Sequence, residues 1–113
     1  MNATEPYMIN LKVSVTQADI DAGRQNNCYR CPVALASGRA LAAIGITLHD
    51  LTVGATAASF IVRNDGKYTG YRAELTDQAQ KWIACFDECG AEYCRPFDTW
   101  LTYFGTHTES LAV

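Results

Sequence analysis

The sequence has no excess of positive charge and little of the equipment of common enzymes. Its 113 residues include 9 Lys and Arg against 12 Asp and Glu, which gives a formal net charge of −3. General binding to nucleic-acid phosphates needs a basic excess, so that class of function is excluded. The sequence contains two histidines, no Gly-x-Ser-x-Gly elbow and no glycine-rich phosphate loop. No complete catalytic motif is present.

Long hydrophobic runs are also missing. The longest apolar stretch covers residues 32–48 and is interrupted by Ser37, Gly38 and Arg39. It falls short of the roughly 20 apolar residues that a membrane-spanning helix needs. The first six residues show neither the basic nor the apolar segment of a secretory signal. We therefore expect a protein of the reducing cytoplasm without membrane association, where disulfides are rare.

The composition that remains is typical of one globular domain. Apolar residues make up 49% of the chain and charged residues 19%, a balance that excludes wholesale disorder. A chain of this length can bury a core without cross-links. We predict a single α+β domain over residues 9–104, with residues 1–8 as an N-terminal tail and residues 105–113 as a C-terminal tail.

Local patterns predict the element order β-α-α-β-β-β-α-β, with a mainly antiparallel sheet packed against helices. Apolar and polar residues alternate over residues 9–15, which indicates a strand. Thr16 and Thr76 stand where helix N-caps are expected, and Pro32 fits the first turn of another helix. The Asp65-Gly66 pair separates two strand-like runs and predicts a hairpin.

Five cysteines, spaced as Cys28-x2-Cys31 and Cys85-x3-Cys89-x4-Cys94, leave several chemistries open. One hypothesis is a structural zinc site, because four thiolates close a tetrahedral shell. Its candidate ligands are Cys28, Cys31, Cys85 and Cys89, with Cys94 or His49 as substitutes. Apart from this zinc hypothesis we expect no cofactor.

Three other interpretations of the thiols stand beside zinc. A disulfide could close between Cys28 and Cys31 or between Cys89 and Cys94, although a reducing cytoplasm keeps such pairs reduced unless they are buried. Cys31 occupies the expected N-cap of the second helix, where the helix dipole favours a thiolate, and Cys28 precedes it by three residues. That placement is compatible with a dithiol redox pair. Alternatively, the cysteines pack as small hydrophobic residues, since free cysteines are among the most buried residue types.

The predicted hairpin and the last strand combine basic and aromatic side chains. Such a mixture suits a protein contact surface or stacking on bases, although an ordinary exposed sheet face has a similar composition. Trp100 and Tyr103 add aromatic surface from the last strand, and a dimer contact is a further option if the two regions lie side by side. The candidate partner-binding residues are Arg63, Lys67, Tyr68, Tyr71, Arg72 and Trp100.

Several longer motifs have a distinctive spacing. They are Thr16-x-x-Asp19-Ile20-x-x-Gly23, Cys28-x-x-Cys31-Pro32-Val33-Ala34-x-Ala36, Glu74-Leu75-x-x-x-Ala79, Ile83-x-x-Phe86-Asp87 and Pro96-Phe97. Through these motifs the chain resembles, over most of its length, a family of small phage-encoded proteins of unassigned function. Cys85, Cys89 and Cys94 lie outside the pattern. The resemblance implies viral origin and expression inside a bacterium, and it implies no activity.

These observations together lead to a functional expectation. We expect a non-enzymatic phage accessory protein that binds and inhibits a host protein or ribonucleoprotein complex, such as a bacterial defence system of the CRISPR type. One alternative is a cysteine-dependent module, either zinc-stabilised or redox-active. Another is a protein that sequesters a small ligand such as a nucleotide signal, with pockets at the interfaces of an oligomer.

Overall fold

The computed structural model describes residues 7–46, 49–64 and 67–107. The described elements follow the predicted order, and the α+β class is confirmed. They are β1 Tyr7–Val15, α1 Gln17–Ala22, α2 Pro32–Ala43, β2 His49–Val53, β3 Ala57–Asn64, β4 Lys67–Glu74, α3 Asp77–Cys89, a short 3-10 helix Ala91–Tyr93 and β5 Phe97–His107. Strands β1 and β5 include residues 7–8 and 105–107, which the sequence analysis assigned to the tails.

The five strands form one antiparallel sheet in the order β1-β5-β4-β3-β2. The first and last strands of the chain are therefore neighbours, with Tyr7 opposite Gly105 and Val15 opposite Phe97. Strands β3 and β4 pair as the predicted hairpin, and Asn64 lies opposite Lys67. The turn residues 65–66 themselves lie outside the described part of the chain.

One face of the sheet forms the core together with the helices. The buried strand residues follow the period of two in a strand. They stand at odd positions of β1, β4 and β5 and at even positions of β3: Leu11, Val13, Val15, Ala73, Thr99, Leu101 and Tyr103, with Ala58 and Phe60. Helix α2 packs against this face beside β1, and α3 contributes Ile83 and Phe86. The largest fully buried apolar and aromatic side chains are Tyr103, Phe60, Phe86, Ile20, Leu41, Leu101, Val13 and Val33.

Helix α1 begins with a capping box and ends at a close contact. The backbone N–H of Thr16 donates to Asp19 Oδ2 at 2.8 Å, and the N–H of Asp19 donates to Thr16 Oγ1 at 3.2 Å, so two helix-end donors are satisfied reciprocally. The helix ends at Gly23. A Cβ at Gly23 would lie 2.5 Å from Pro32 Cγ, so this approach of α1 to α2 requires glycine.

The other two helices also end beside a glycine. Helix α2 closes with Gly45 at φ +85°, and the N–H of Ile46 donates to the Leu41 carbonyl at 3.1 Å, the pattern of a Schellman motif. Helix α3 begins after Thr76, whose side chain accepts from the Ala79 N–H, and ends at Gly90. Within the described ranges no helix has both the length and the apolar character needed to cross a bilayer.

Candidate functional site

The face of the sheet opposite the helices carries a mixed aromatic and charged surface. We call it the open face: it consists of the even-numbered side chains of β1, β4 and β5 and the odd-numbered side chains of β3. Trp100 and Phe104 of β5 are 60% and 55% exposed, and Met8, opposite Phe104 in the register, is 57% exposed. Three large apolar side chains thus lie exposed close together on one surface, a composition typical of contact sites.

A groove of about 530 Å³ runs over the open face between β4 and β5. Trp100, Thr102 and Phe104 follow one another at every second position of β5, so Thr102 separates the two aromatic side chains. Arg72 of β4 lies directly opposite Phe104. The lining residues are Arg72, Glu74, Thr76, Trp100, Thr102 and Phe104. The groove therefore combines two aromatic walls with one cationic and one anionic side chain.

Two charged contacts lie at either side of this groove. The guanidinium of Arg63 lies 5.6 Å from the centre of the Tyr68 ring, its partner across the hairpin, a cation–π geometry. On β1, Lys12 Nζ lies 3.8 Å from Asp98 Oδ2, and both side chains are more than half exposed. Such a pair contributes little to stability, so both charges remain accessible to a partner.

The structure brings four of the six predicted partner-binding residues onto the open face: Arg63, Tyr68, Arg72 and Trp100. Tyr71 lies on the opposite face, where its ring stacks on Phe60 with centroids 4.9 Å apart, because odd positions of β4 face the helices. Lys67 begins β4, and its side chain lies outside the described part of the structure.

The aromatic surface of the last strand also differs from the expectation. Tyr103, expected to be exposed, is fully buried, whereas Phe104 and Met8, which were not among the candidates, are exposed. The alternation along β5 carried the missing signal, because Trp100 and Phe104 share one parity and Tyr103 has the other. The hairpin and the last strand do lie side by side, since β4 pairs with β5, so the condition for a shared surface is met.

Cys28 and Cys31 line a second, smaller cavity of about 250 Å³. The loop that carries them is held by α3, because the N–H of Asn26 donates to Asp87 Oδ1 at 2.9 Å. Cys28 is exposed and Cys31 is buried. Burial raises the pKa of the Cys31 thiol, and the nearby backbone N–H groups of Ala34 and Val33 offset only part of that rise. The thiolate expected at this N-cap is therefore not favoured.

The other three cysteines gather where α3 leads into the 3-10 helix. Cys85 lies close enough to interact with both Cys89 and Cys94. Burial, followed by the contact with Cys85, raises the pKa of Cys94 to about 11. Trp82 packs nearby, with its Nε1 donating to the Arg95 carbonyl at 2.8 Å. The three cysteines therefore lie together in a partly apolar corner of the domain.

The structure does not bring the four predicted zinc ligands together. Ile83 and Asp87 of α3 line the cavity that holds Cys28 and Cys31, whereas Cys85 is two residues from each and so lies on nearly the opposite side of the helix. Among the described side chains, no three His, Cys, Asp or Glu are placed to hold a metal ion. The side chain of His49, a substitute ligand, lies outside this part of the structure.

Comparison of the chain with protein-family models, with curated proteins and with solved structures finds no match.

Proposed function

We propose that this chain is a binding module that contacts a partner protein through the open face. The observation that carries the proposal is the groove between β4 and β5, where Trp100 and Phe104 lie exposed on a strand in the interior of the sheet. Rigid strands hold these rings in place, so little conformational entropy is lost when a partner covers them. Aromatic and Arg side chains dominate the energetics of protein interfaces.

A protein partner fits the charges of this surface better than a nucleic acid does. Glu74 lines the groove beside Arg72, and Asp98 lies beside Lys12. Anionic side chains next to each of these cations repel phosphate, and the chain as a whole carries a charge of −3. A protein surface with both signs of charge around an apolar centre is the complementary partner.

We extend the proposal to the identity of the partner. The chain acts as an inhibitor that blocks a host protein or ribonucleoprotein complex of a bacterial defence system, such as a CRISPR effector. Its small single-domain build, its exposed groove and its resemblance to phage-encoded proteins support this function. Inhibition by steric blocking needs only a rigid surface with aromatic anchors, and the open face supplies one.

The test is affinity capture from a lysate of the bacterial host, with matched variants. Trp100→Ala and Phe104→Ala should each lose the partner that the parent chain retains, with affinity reduced by roughly thirtyfold or more, as for interface hot spots. Tyr93→Ala is the control, because Tyr93 is 67% exposed but lies in the 3-10 helix, outside the open face. Equal capture by all four proteins would contradict the proposal.

A second set of variants tests the charged part of the surface. Arg63→Glu and Arg72→Glu reverse two cations of the open face, whereas Arg24→Glu reverses an exposed cation of the loop after α1. We expect the first two to weaken binding and the third to leave it unchanged. Unchanged affinity of folded Arg63→Glu and Arg72→Glu proteins would remove both residues from the contact surface.

A cysteine-dependent function is the second candidate, and the cavity shared by Cys28 and Cys31 is the observation that favours it. The exposed Cys28 gives access to this cavity, and the buried Cys31 lines it as well. A variant with both cysteines changed to Ser should keep full partner capture if the open face carries the function. Loss of capture by this folded variant, with retention by Trp100→Ala, would transfer the function to the thiols.

A further inference from the structure

Strand β1 forms one edge of the sheet and pairs on its inner side only. It runs for nine residues, and its register with β5 is unbroken from Tyr7 to Val15. An edge strand presents unpaired backbone N–H and C=O groups on its outer side, and these groups are a template for another strand. Because β1 is long and its register is unbroken, its outer edge offers a regular row of such groups.

The outward groups of β1 can be identified from one contact at its end. The carbonyl of Ser14 accepts a hydrogen bond from Arg39 Nη2 at 3.1 Å, so the backbone of Ser14 faces away from β5. Because residues of an antiparallel strand face alternately toward and away from the neighbour, Met8, Asn10 and Lys12 also face outward. Within the described residues, no group bonds to their outward N–H and C=O groups.

The opposite edge of the sheet is protected in ways that β1 is not. Strand β2 has five residues, its register shifts between His49 and Thr52, and Asp50 has φ +55°. The N–H of Val53 donates to the Cys28 carbonyl at 2.8 Å, so the loop before α2 covers that edge. Short length, a bulge and a covering loop are the devices by which proteins block edge pairing. β1 contains no proline and no register shift.

We propose that β1 pairs antiparallel with β1 of a second copy of this chain, around a two-fold axis at Asn10. Arg39 already occupies the Ser14 carbonyl, which leaves a free segment of Met8, Asn10 and Lys12 that is symmetric about Asn10. In this register Met8 lies opposite Lys12 of the second copy, and Asn10 lies opposite Asn10. Each copy offers three N–H and three C=O groups, and the symmetric pairing satisfies all of them with six hydrogen bonds.

The side chains of β1 also fit this pairing. Lys12 does not face Lys12 of the second copy, so no like charges lie directly opposite each other. On the helix side of the sheet, the partly exposed Ile9 lies opposite Leu11 of the second copy and gains an apolar neighbour. The two five-stranded sheets become one continuous sheet, and the two open faces lie side by side on the same surface. A second copy is the occupant that matches the symmetry of the free segment.

Asn10→Pro is the decisive variant, with Asn10→Ala as its control. Proline removes an N–H that faces outward, so the ladder with β5 stays intact, and edge strands tolerate proline in this orientation. Both substitutions remove the hydrogen bond from Thr102 Oγ1 to Asn10 Oδ1 at 2.7 Å. Sedimentation equilibrium should give twice the 12.4 kDa chain mass for the parent and for Asn10→Ala. Asn10→Pro removes two interchain hydrogen bonds and should weaken the dimer by at least about thirtyfold.

Amide hydrogen exchange provides an independent measurement on the parent chain. Exchange at Met8, Asn10 and Lys12 should slow as protein concentration rises, because dimerisation buries these N–H groups. Exchange at Leu11 and Val13 should be slow at every concentration, since these residues face β5. Circular dichroism of Asn10→Pro is the check that this variant keeps its fold.

Four results would overturn the proposal. They are a parent chain that stays monomeric, an Asn10→Pro variant that dimerises as tightly as the parent, loss of the dimer in Asn10→Ala, and protection of the Asn10 amide in the monomer. The third would assign the contact to side chains, and the fourth would show that another group covers this edge.

Discussion

Replacement of Arg39 by Ala tests the best-formed polar cluster of the domain. Arg39 Nη1 and Nη2 lie 2.7 and 2.8 Å from the two carboxylate oxygens of Asp19, and Nη2 also bonds the Ser14 carbonyl. The Asp19 side chain is only 5% exposed, whereas that of Arg39 is 53% exposed. The cluster ties α2 to both α1 and the end of β1.

The expected effect follows from what the substitution leaves behind. Arg39→Ala removes three donors, and the buried carboxylate of Asp19 keeps only its two bonds to Thr16. Complete burial of an unpaired charge costs more, but the exposed guanidinium already shares part of its charge with water. We expect the free energy of unfolding to fall by about 2 to 3 kcal/mol, which corresponds to a melting temperature lower by roughly 10 °C.

Urea denaturation of Arg39→Ala, Arg39→Lys and Asp19→Asn, with the double variant Arg39→Ala/Asp19→Asn, measures the coupling. Lys keeps the charge but not the bidentate geometry, so Arg39→Lys should lose about half as much stability. A coupling energy below about 0.5 kcal/mol in the double-mutant cycle would refute the reasoning and make this an ordinary surface pair.

The same pair predicts a dependence on pH. The hydrogen bond from Arg39, opposed in part by burial, lowers the pKa of Asp19 below its ordinary value of 3.8. A lowered pKa means that the contribution to stability is present above that value and is lost as pH falls through the pKa of the folded state. The stability difference between the parent and Arg39→Ala should therefore be constant near neutral pH and shrink below about pH 4.

Three further substitutions test packing in the core. Gly23→Ala should destabilise by about 1 to 3 kcal/mol, because its Cβ would meet Pro32 at 2.5 Å. Gly38→Ala should instead stabilise by about 0.5 to 1 kcal/mol, since its Cβ would meet Leu51 at an ordinary 3.5 Å within a helix; thermal unfolding of both variants distinguishes a required glycine from a replaceable one. Burial raises the pKa of Tyr103 from 10.0 to about 12, so the parent should lose stability as pH rises from 10 to 12, and Tyr103→Phe should lack this loss. Equal pH profiles for the parent and Tyr103→Phe in urea denaturation would show that Tyr103 ionises as readily in the folded state as in the unfolded state.

Local patterns were sufficient to predict the order of the elements. The alternation of residues 9–15, the caps at Thr16 and Thr76 and the pair Asp65-Gly66 each act over a few residues, and the structure has the corresponding strands, helices and hairpin. Their information is local because hydrogen bonds of caps and hairpins form between residues close in sequence. The limits of β1 and β5 were less accessible, since they depend on strand pairing: β1 extends to Tyr7 opposite Gly105, and β5 extends to His107 opposite Thr69 of β4.

The candidate site was only partly predictable. The period of two in β4 and β5 already separates Tyr71 and Tyr103 from Arg72, Trp100 and Phe104. The odd or even position of a residue along its strand is therefore sufficient to tell which side chains share the open face. Which strands share a groove is a different kind of information, because the pairing of β4 with β5 joins residues 32 to 38 positions apart. Cys28 and Cys31 lie on one side of α3 and Cys85 on the other, and this separation likewise depends on where that helix packs.

The sequence by itself determined the class of the fold, the order of its helices and strands, and the caps at Thr16 and Thr76. The tertiary structure decided which residues form a surface. It placed β5 between β1 and β4, so that Trp100 and Phe104 line one groove with Arg72. It also left β1 as an edge strand of the sheet and put Cys28 and Cys31 on a different side of α3 from Cys85. The physical reason is that backbone propensities and caps act along the chain, whereas a contact surface depends on long-range burial that fixes strand order and helix position.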